Sequence, residues 1–400
     1  MRWLLTRASG AIPFRSGPKE ILEADLVVVG SGPYGLVKAI LALEAGLRVV
    51  VIDREPFLGG AWAARPCYGS TSEKFDMVAH LLSVYPGCYR LLEEAGFPLQ
   101  ERSLYFWDAD WTQDKQDALA ALADAAFEPR SGPAGHLMGY HQYYGLHRHA
   151  DGRDAALAVS RGNRAEFEAF RYMPHSFQPL VDRLIARFET LGGQALLGAS
   201  AELIRLGQQS VTVAAADWQV RAERLVSGRH LDGAIHVDGI ALEMPFIANL
   251  YRSMLLLVRL SEAPRHRYVN VVGHAGMQAI QIARSAADPR PFVYSICIID
   301  HEERPPDPEA VAGHRIAQLQ AAGILPQVEE VLDVAFHRHL SRSLPREFLA
   351  SVAARSPAVS FHIVDNLSQC IADNAAEWLR ALGPAPADRG PPGSDLSLPG

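Results

Sequence analysis

Two short runs of residues carry the most specific chemistry in this chain. Gly30-Ser31-Gly32-Pro33-Tyr34-Gly35 spaces three glycines as a dinucleotide-binding turn does. Gly30 permits the tight turn, Gly32 lets the backbone approach a pyrophosphate, and Gly35 lets a helix pack closely on a strand. The helix that follows offers free N–H groups and the positive end of its dipole. Ser31, Pro33 and Tyr34 belong to the same turn and are counted with it as binding residues. Asp53 lies 23 residues beyond Gly30. A carboxylate there can accept hydrogen bonds from both hydroxyls of an adenosine ribose, and it disfavours a 2′-phosphate.

The elements that must position these residues are legible around them. Residues 25–29 form an apolar run of strand length, as a parallel strand covered on both faces requires. A helical pattern over 36–45 is closed by Gly46, and 48–52 reads as a second buried strand ending at Asp53. Together they make a βαβ unit of about thirty residues. Residues 1–22 read as an irregular arm. Short helices are expected at 88–95 and 116–126, with a Gly/Tyr-rich loop at 130–153. Apolar residues at 177, 180, 181, 184, 185 and 188 define one helical face, stopped by Gly192-Gly193. Strands follow at 195–197, 201–206 and 211–214. Residues 217–300 read as β-rich, with a hairpin turn at Asp238-Gly239. Residues 308–355 read as helical, 359–364 as a strand, and 367–382 as a helix capped by Asp365-Asn366. The tail, 384–400, has five prolines in seventeen residues and is expected to be disordered.

Composition narrows the classes. The chain has 400 residues, 48% hydrophobic and 21% charged, so it is neither a disordered chain nor a coiled coil and has room for two domains. Its net charge of −7, without a basic block, argues against nucleic acid. No apolar run is long enough to span a membrane; the nearest is 254–258. No secretion signal is read in the first twenty residues, and a cytoplasmic location is expected. The four cysteines include no CxxC pair, so a thiol redox centre or Cys-based zinc site is not expected. His136, His141, His147 and His149 follow no metal-ligand spacing, and no metal is assigned.

Beyond the first unit, Asp53-Arg54-Glu55-Pro56-Phe57-Leu58-Gly59-Gly60 resembles the acid-then-Gly-Gly fingerprint of the glutathione-reductase-type FAD-binding fold. Within that fold it resembles the amine oxidase, phytoene desaturase and UDP-galactopyranose mutase superfamily. The resemblance implies FAD, with Arg54, Gly59, Gly60, Ala61 and Trp62 along the flavin side. The segment 170–182, followed by Gly192-Gly193 and Ala201-Glu202-Leu203, is similar to the family's helix and strand. That likeness implies that the backbone at Ala201 and Glu202 holds the adenine end. Asp76-Met77-Val78-Ala79-His80 is similar to the segment that places a histidine near the isoalloxazine, which makes His80 the catalytic candidate. A histidine can move a proton near neutrality. Lys74, Asp76 and Arg171 are weaker pocket candidates. The departures are Pro174-His175-Ser176 where the family has Pro-Gly-Gly, and Asp365-Asn366 where it has Gly-Asp beside the ribityl chain. No lysine follows Lys115, which disfavours the oxidase arrangement that sets a lysine near flavin N5.

The expected fold is α/β: a Rossmann-like, three-layer ββα FAD-binding domain with an inserted mixed α+β substrate domain. The FAD-binding part is assigned to 23–82, 165–215 and 345–383, and the substrate part to 83–164 and 216–344. The expected activity is oxidation of a small organic molecule by hydride transfer to flavin N5. A non-redox mutase-like flavoenzyme, an NADPH-dependent monooxygenase and a degenerate partner subunit remain alternatives. A homo-oligomer is compatible with the composition.

Overall fold

The computed structural model describes residues 4–7, 10–13, 20–63, 65–66, 74–75, 86–108, 164–172, 177–215, 217–231, 233–265, 268–272, 277–283, 292–299, 307–362, 364 and 367–384. Among them, one sheet contains β1 (Leu4–Arg7), β2 (Gly10–Pro13), β4 (Leu26–Val29), β5 (Val49–Asp53), β10 (Gln194–Leu197), β14 (Arg224–Ser227) and β22 (Val359–Phe361). Its spatial order is β2-β1-β10-β5-β4-β14-β22. The strands from β10 to β22 run parallel, and β1 and β2 add an antiparallel hairpin at one edge. A second sheet holds β3 (Glu20–Glu23), β11 (Leu203–Leu206), β12 (Val211–Ala214), β13 (Trp218–Ala222), β15 (Ala234–Val237) and β16 (Ile240–Ala241), in the order β16-β15-β11-β12-β13-β3. A third holds β8 (Gln100–Asp108), β9 (Arg164–Tyr172), β17 (Ile247–Leu260), β18 (Tyr268–Val272), β19 (Met277–Ala283), β20 (Phe292–Ile299) and β21 (Val328–Ser343), in the order β21-β17-β20-β19-β18-β8-β9. The pair β6 (Arg65–Pro66) and β7 (Lys74–Phe75) stands apart. The helices are α1 (Pro33–Glu44), α2 (Pro86–Glu94), α3 (Gln178–Thr190), α4 (Pro308–Ala321), α5 (Arg346–Arg355), α6 (Leu367–Asp373) and α7 (Ala375–Leu382).

Strand periodicity builds the layers. Successive side chains of a strand point to opposite faces, so Leu26 and Val28 of β4, with Val49 and Val51 of β5, enter one core. That core is shared with α1, α2, α3, α6 and α7, and Phe177, Phe188 and Trp378 fill it. The alternate residues, Val27, Val50, Ile52 and Leu196, enter a second core with Ile204, Val213, Trp218, Val220 and Ile235 of the second sheet and Leu349 and Val352 of α5. Helices, parallel sheet and second sheet are therefore stacked as three layers, the ββα arrangement expected from the sequence. Ion pairs fasten the helical layer: Glu44 of α1 meets Arg187 of α3 at 3.0 Å and Arg380 of α7 at 2.8 Å. Arg183 of α3 donates to the carbonyls of Ala95, Leu382 and Gly383, closing the C-terminal ends of α2 and α7.

Several expectations need correction. The arm assigned to 1–22 contains three strands: β1 and β2 extend the parallel sheet through β10, and β3 pairs with β13. Short apolar stretches interrupted by Pro and Gly hid them. Residues 218–241, assigned to the substrate part, lie in the first and second sheets, with β14 at the side of β4. Conversely β9, placed with the FAD-binding part, pairs with β8 in the third sheet. The helical reading of 308–355 holds for α4 and α5 but fails between them. There β21 pairs with β17 along its length, with register shifts at Leu257/Val258 and Arg259/Leu260. Pairing with a long neighbour decided the matter over local pattern. The expected terminal helix is two, α6 and α7, meeting at Asn374. The hairpin at Asp238-Gly239 is present, with both residues at positive φ, 49° and 82°. The helix expected at 116–126, the loop at 130–153 with its four histidines, and the tail from 385 lie outside the described residues.

Candidate functional site

The carboxyl ends of β4, β5, β14 and β22 finish in nearly one row. Val29 is paired with Ile52 on one side and with Ser227 on the other, and Ser227 is paired with Phe361. In a parallel sheet covered on both faces, this edge is where the backbone opens and a ligand can enter. A crevice of about 380 Å³ lies there. Its lining comes from the turn after β4 (Gly30, Gly32, Pro33, Tyr34, Gly35), from Asp53, Arg54, Glu55, Gly60 and Trp62 after β5, and from Ala199, Ser200 and Ala201 after β10. Gly228 to Leu231 after β14, and His362, Val364 and Leu367 after β22, complete it.

Gly35 packs as its spacing implied. A Cβ on Gly35 would stand 2.2 Å from the Gly30 carbonyl oxygen, so α1 can lie this close to β4 only with glycine there. Gly32 is the N-cap of α1 and Pro33 opens its first turn, where the missing N–H costs nothing. Gly59 and Gly60 hold positive φ of 98° and 58°, which turns the chain back toward the crevice. A Cβ on Gly60 would meet Asp53 Oδ2 at 3.4 Å and Gly32 N at 3.5 Å. The two glycine turns are thus in direct apposition.

Ser31 and Asp53 join them. Ser31 is fully buried and Asp53 is 8% exposed. Asp53 Oδ2 accepts from Ser31 N and from Ser31 Oγ, both at 2.6 Å, while Oδ1 accepts from Glu55 N at 2.9 Å. Gly59 N donates to Ser31 Oγ at 3.1 Å. Trp62 closes the same corner, its ring edge-on to Phe177 at 5.7 Å between centroids.

At the opposite wall stands His362, directly after β22, with its N–H donating to the Ser227 carbonyl at 2.9 Å. Its ring meets Tyr34 edge-on at 5.2 Å. The Nδ1 atom is buried and, among the described residues, has no hydrogen-bond partner. Burial, reinforced by the Lys38 ammonium, pushes the imidazole pKa down to about 4, so the ring is neutral at physiological pH. Behind Tyr34, Lys38 is bound to Glu377 of α7 at 2.6 Å, and the Tyr34 hydroxyl donates to the same carboxylate at 3.3 Å. Burial also holds the Tyr34 phenol above its ordinary value.

Most of the binding residues expected from the sequence meet here. Gly30, Gly32, Pro33, Tyr34, Gly35, Asp53, Arg54, Gly60, Trp62 and Ala201 line the crevice, with Ser31 and Gly59 immediately beneath it. Ala61 sits in the single 3-10 turn between Gly60 and Trp62. Glu202 does not join them. Its side chain is exposed, its N–H donates to the Ala214 carbonyl and its carbonyl accepts from Ala234 N, so its backbone is spent on the second sheet. His80, Asp76, Asp365 and Asn366 lie outside the described residues; Lys74 and Arg171 are placed only as members of β7 and β9. Sequence reasoning missed His362, Arg229 and His230. The available signal was their position just past apolar strand-like runs, where a parallel strand delivers its last residues to a binding edge. Among the described residues no group of His, Cys, Asp or Glu is arranged to hold a metal, and no helix is long and apolar enough to cross a membrane.

A dinucleotide fits this lining on its own terms. Glycines keep clear the space that side chains would fill, a helix N-terminus faces it, and a buried imidazole nitrogen lacks a partner among the described residues. The three layers and this edge define the nucleotide-binding fold of FAD-dependent oxidoreductases. The sequence model of the family described as FAD dependent oxidoreductase matches residues 25–82. The chain is 55% identical across 38 residues to a dihydrolipoyl dehydrogenase of Manduca sexta, covering 10% of this chain and 8% of that one. It is 45% identical across 47 residues to a thiamine thiazole synthase of Aeropyrum pernix, covering 12% and 17%. The match therefore spans less than a fifth of these relatives' length. Solved structures resemble the chain more widely. Cyclohexylamine oxidase from Brevibacterium oxydans has a TM-score of 0.56 at 13% identity, covering 90% of this chain and 98% of that one. A double mutant of putrescine oxidase has 0.55 at 17%, covering 90% and 100%. These likenesses establish the fold.

Proposed function

We propose that this chain is a flavin-dependent oxidoreductase that holds FAD along the crevice and oxidises a small organic substrate. The observation that carries the reading is the convergence of both glycine turns, Asp53 and the N-terminus of α1 at the carboxyl edge of the parallel sheet. The turn from Gly30 to Gly35 and the first turn of α1 suit the diphosphate, because a helix's first N–H groups have no partner within the helix and its dipole favours an anion. Asp53 suits the adenosine ribose, and Ala201 the adenine side. Gly59, Gly60 and Trp62 suit the path toward the flavin. Bound there, FAD supplies a two-electron acceptor at N5, which matches removal of a hydride from a substrate carbon.

The chain's own residues orient and enclose. Tyr34, held by Glu377 and stacked on Trp378 at 6.1 Å, gives a rigid wall, and the neutral His362 adds no charge beside it. Among the described residues the third sheet contributes nothing to the crevice lining, which leaves it free to carry the substrate. His80 is the acid–base candidate on the chemistry of imidazole. The test is the visible spectrum of the purified full chain, followed by removal and re-addition of FAD. A flavin spectrum, bleached by reductant and restored on reconstitution, is expected. A colourless protein that binds no added FAD overturns the proposal.

A further inference from the structure

Asp53 is expected to grip both ribose hydroxyls, yet most of its accepting capacity is already used within the protein. A carboxylate presents about four acceptor positions. Ser31 N and Ser31 Oγ occupy Oδ2, each at 2.6 Å, and Glu55 N occupies one position on Oδ1 at 2.9 Å. The serine proton is committed as well. Gly59 N donates to Ser31 Oγ at 3.1 Å, so that oxygen must accept there and donate to Asp53. Gly60 lies against the same oxygen, since a Cβ on it would come within 3.4 Å of Oδ2. Turning the carboxylate to free Oδ2 would strand the N–H of a serine that is fully buried, and a buried donor without a partner is costly.

We propose that Asp53 reads one ribose hydroxyl, through the remaining position on Oδ1, and that Ser31 is the positioning residue that imposes this. The inference rests on the reading of the crevice as an adenine-dinucleotide site and deepens it. A nucleotide is then selected by a single hydroxyl at its adenosine ribose, and the second hydroxyl contributes nothing at this carboxylate.

The experiment measures equilibrium binding of ADP, 2′-deoxy-ADP and 3′-deoxy-ADP to the full chain freed of flavin, by titration calorimetry. One deoxy nucleotide should bind within about twofold of ADP and the other about tenfold more weakly, the weight of one charge-assisted hydrogen bond. Equal losses for both, large or absent, overturn the inference while leaving the crevice reading intact. Failure of ADP to bind at all overturns both. In Ser31→Ala, Oδ2 gains a free position for the second hydroxyl, so the gap between the two deoxy nucleotides should narrow. A general loosening of the loop would weaken all three ligands alike. A gap as wide as in the unaltered chain overturns the role given to Ser31. Should that variant fail to fold, the comparison in the unaltered chain still decides.

Discussion

His362 makes folding stability depend on pH in a direction and window that can be stated in advance. Its folded pKa is pushed down to about 4 by burial and then by Lys38, against an ordinary value of 6.5. The unfolded chain therefore binds a proton that the folded chain refuses, and stability falls as pH drops below 6.5. Above that value the contribution is fully present; below about 4 both states are protonated and the loss is complete. Each pKa unit of difference corresponds to about 1.36 kcal/mol, so the whole window is worth on the order of 3 kcal/mol. One face of the ring borders the open crevice, and screening there reduces the figure. Between pH 7 and pH 5 a loss of roughly 1.5 kcal/mol is expected from this residue. Urea unfolding at pH 7, 6 and 5, for the unaltered chain and for His362→Gln, isolates it. Glutamine keeps a polar side chain without the titration, so the difference between the two proteins should shrink steadily toward pH 5. Parallel pH dependences would refute the reasoning, because they would mean that His362 titrates alike in the folded and unfolded chains.

Two further substitutions test the packing behind the crevice. Gly35→Ala gains up to about 1 kcal/mol of helix propensity but places a methyl 2.2 Å from the Gly30 carbonyl oxygen. Overpacking of that kind costs about 3 kcal/mol, so a net destabilisation of about 2 kcal/mol is expected in thermal unfolding, with weakened ADP binding as α1 moves off β4; an unchanged melting temperature would show that the helix has room to shift. Glu377→Gln removes the partner of Lys38, whose ion pair is about one-third exposed on each side. The expected loss is only about 0.5–1 kcal/mol, and it should diminish in high salt, where a loss insensitive to salt would point to the Tyr34 hydrogen bond instead.

What could be read in the sequence, and what could not, divides by distance along the chain. The turn at Gly30 to Gly35, the helix after it and Asp53 are local features: each glycine does a job set by its immediate neighbours, and the apolar runs on either side have strand length. Long-range partners left no such trace. Lys38 and Glu377 are 339 residues apart, and only the packing of α7 on α1 brings them together. His362 is one histidine after a strand of three residues, with no motif around it. It enters the crevice because β22 pairs with β14 and β14 with β4. The 16 residues of β21 were misread for the same reason, since the partner that makes them a strand, β17, lies far upstream. Glu202 was misassigned because a sequence cannot say which backbone groups a neighbouring sheet has already claimed.

The site follows from register more than from any single residue. Val29 stands opposite Ile52, and Gly30 N donates to the Ile52 carbonyl at 2.8 Å, so the chain leaves β4 one position before it would face Asp53. On the far side Leu197 is level with Asp53, and Ala199 N donates to the Asp53 carbonyl at 2.9 Å. A slip of one residue between β4 and β5 would only exchange valine for valine on the two faces, Val27 for Val28, but it would break the bond from Gly30 N to the Ile52 carbonyl. It would also carry the carboxylate one strand step, about 3.3 Å, away from Ser31. Val27, Val28, Val50 and Val51, each at most 2% exposed, are interchangeable under such a slip, so the bonds from Gly30 to Ile52 and from Ser31 to Asp53 pin the register. That register places one carboxylate where a buried serine and a glycine turn can hold it.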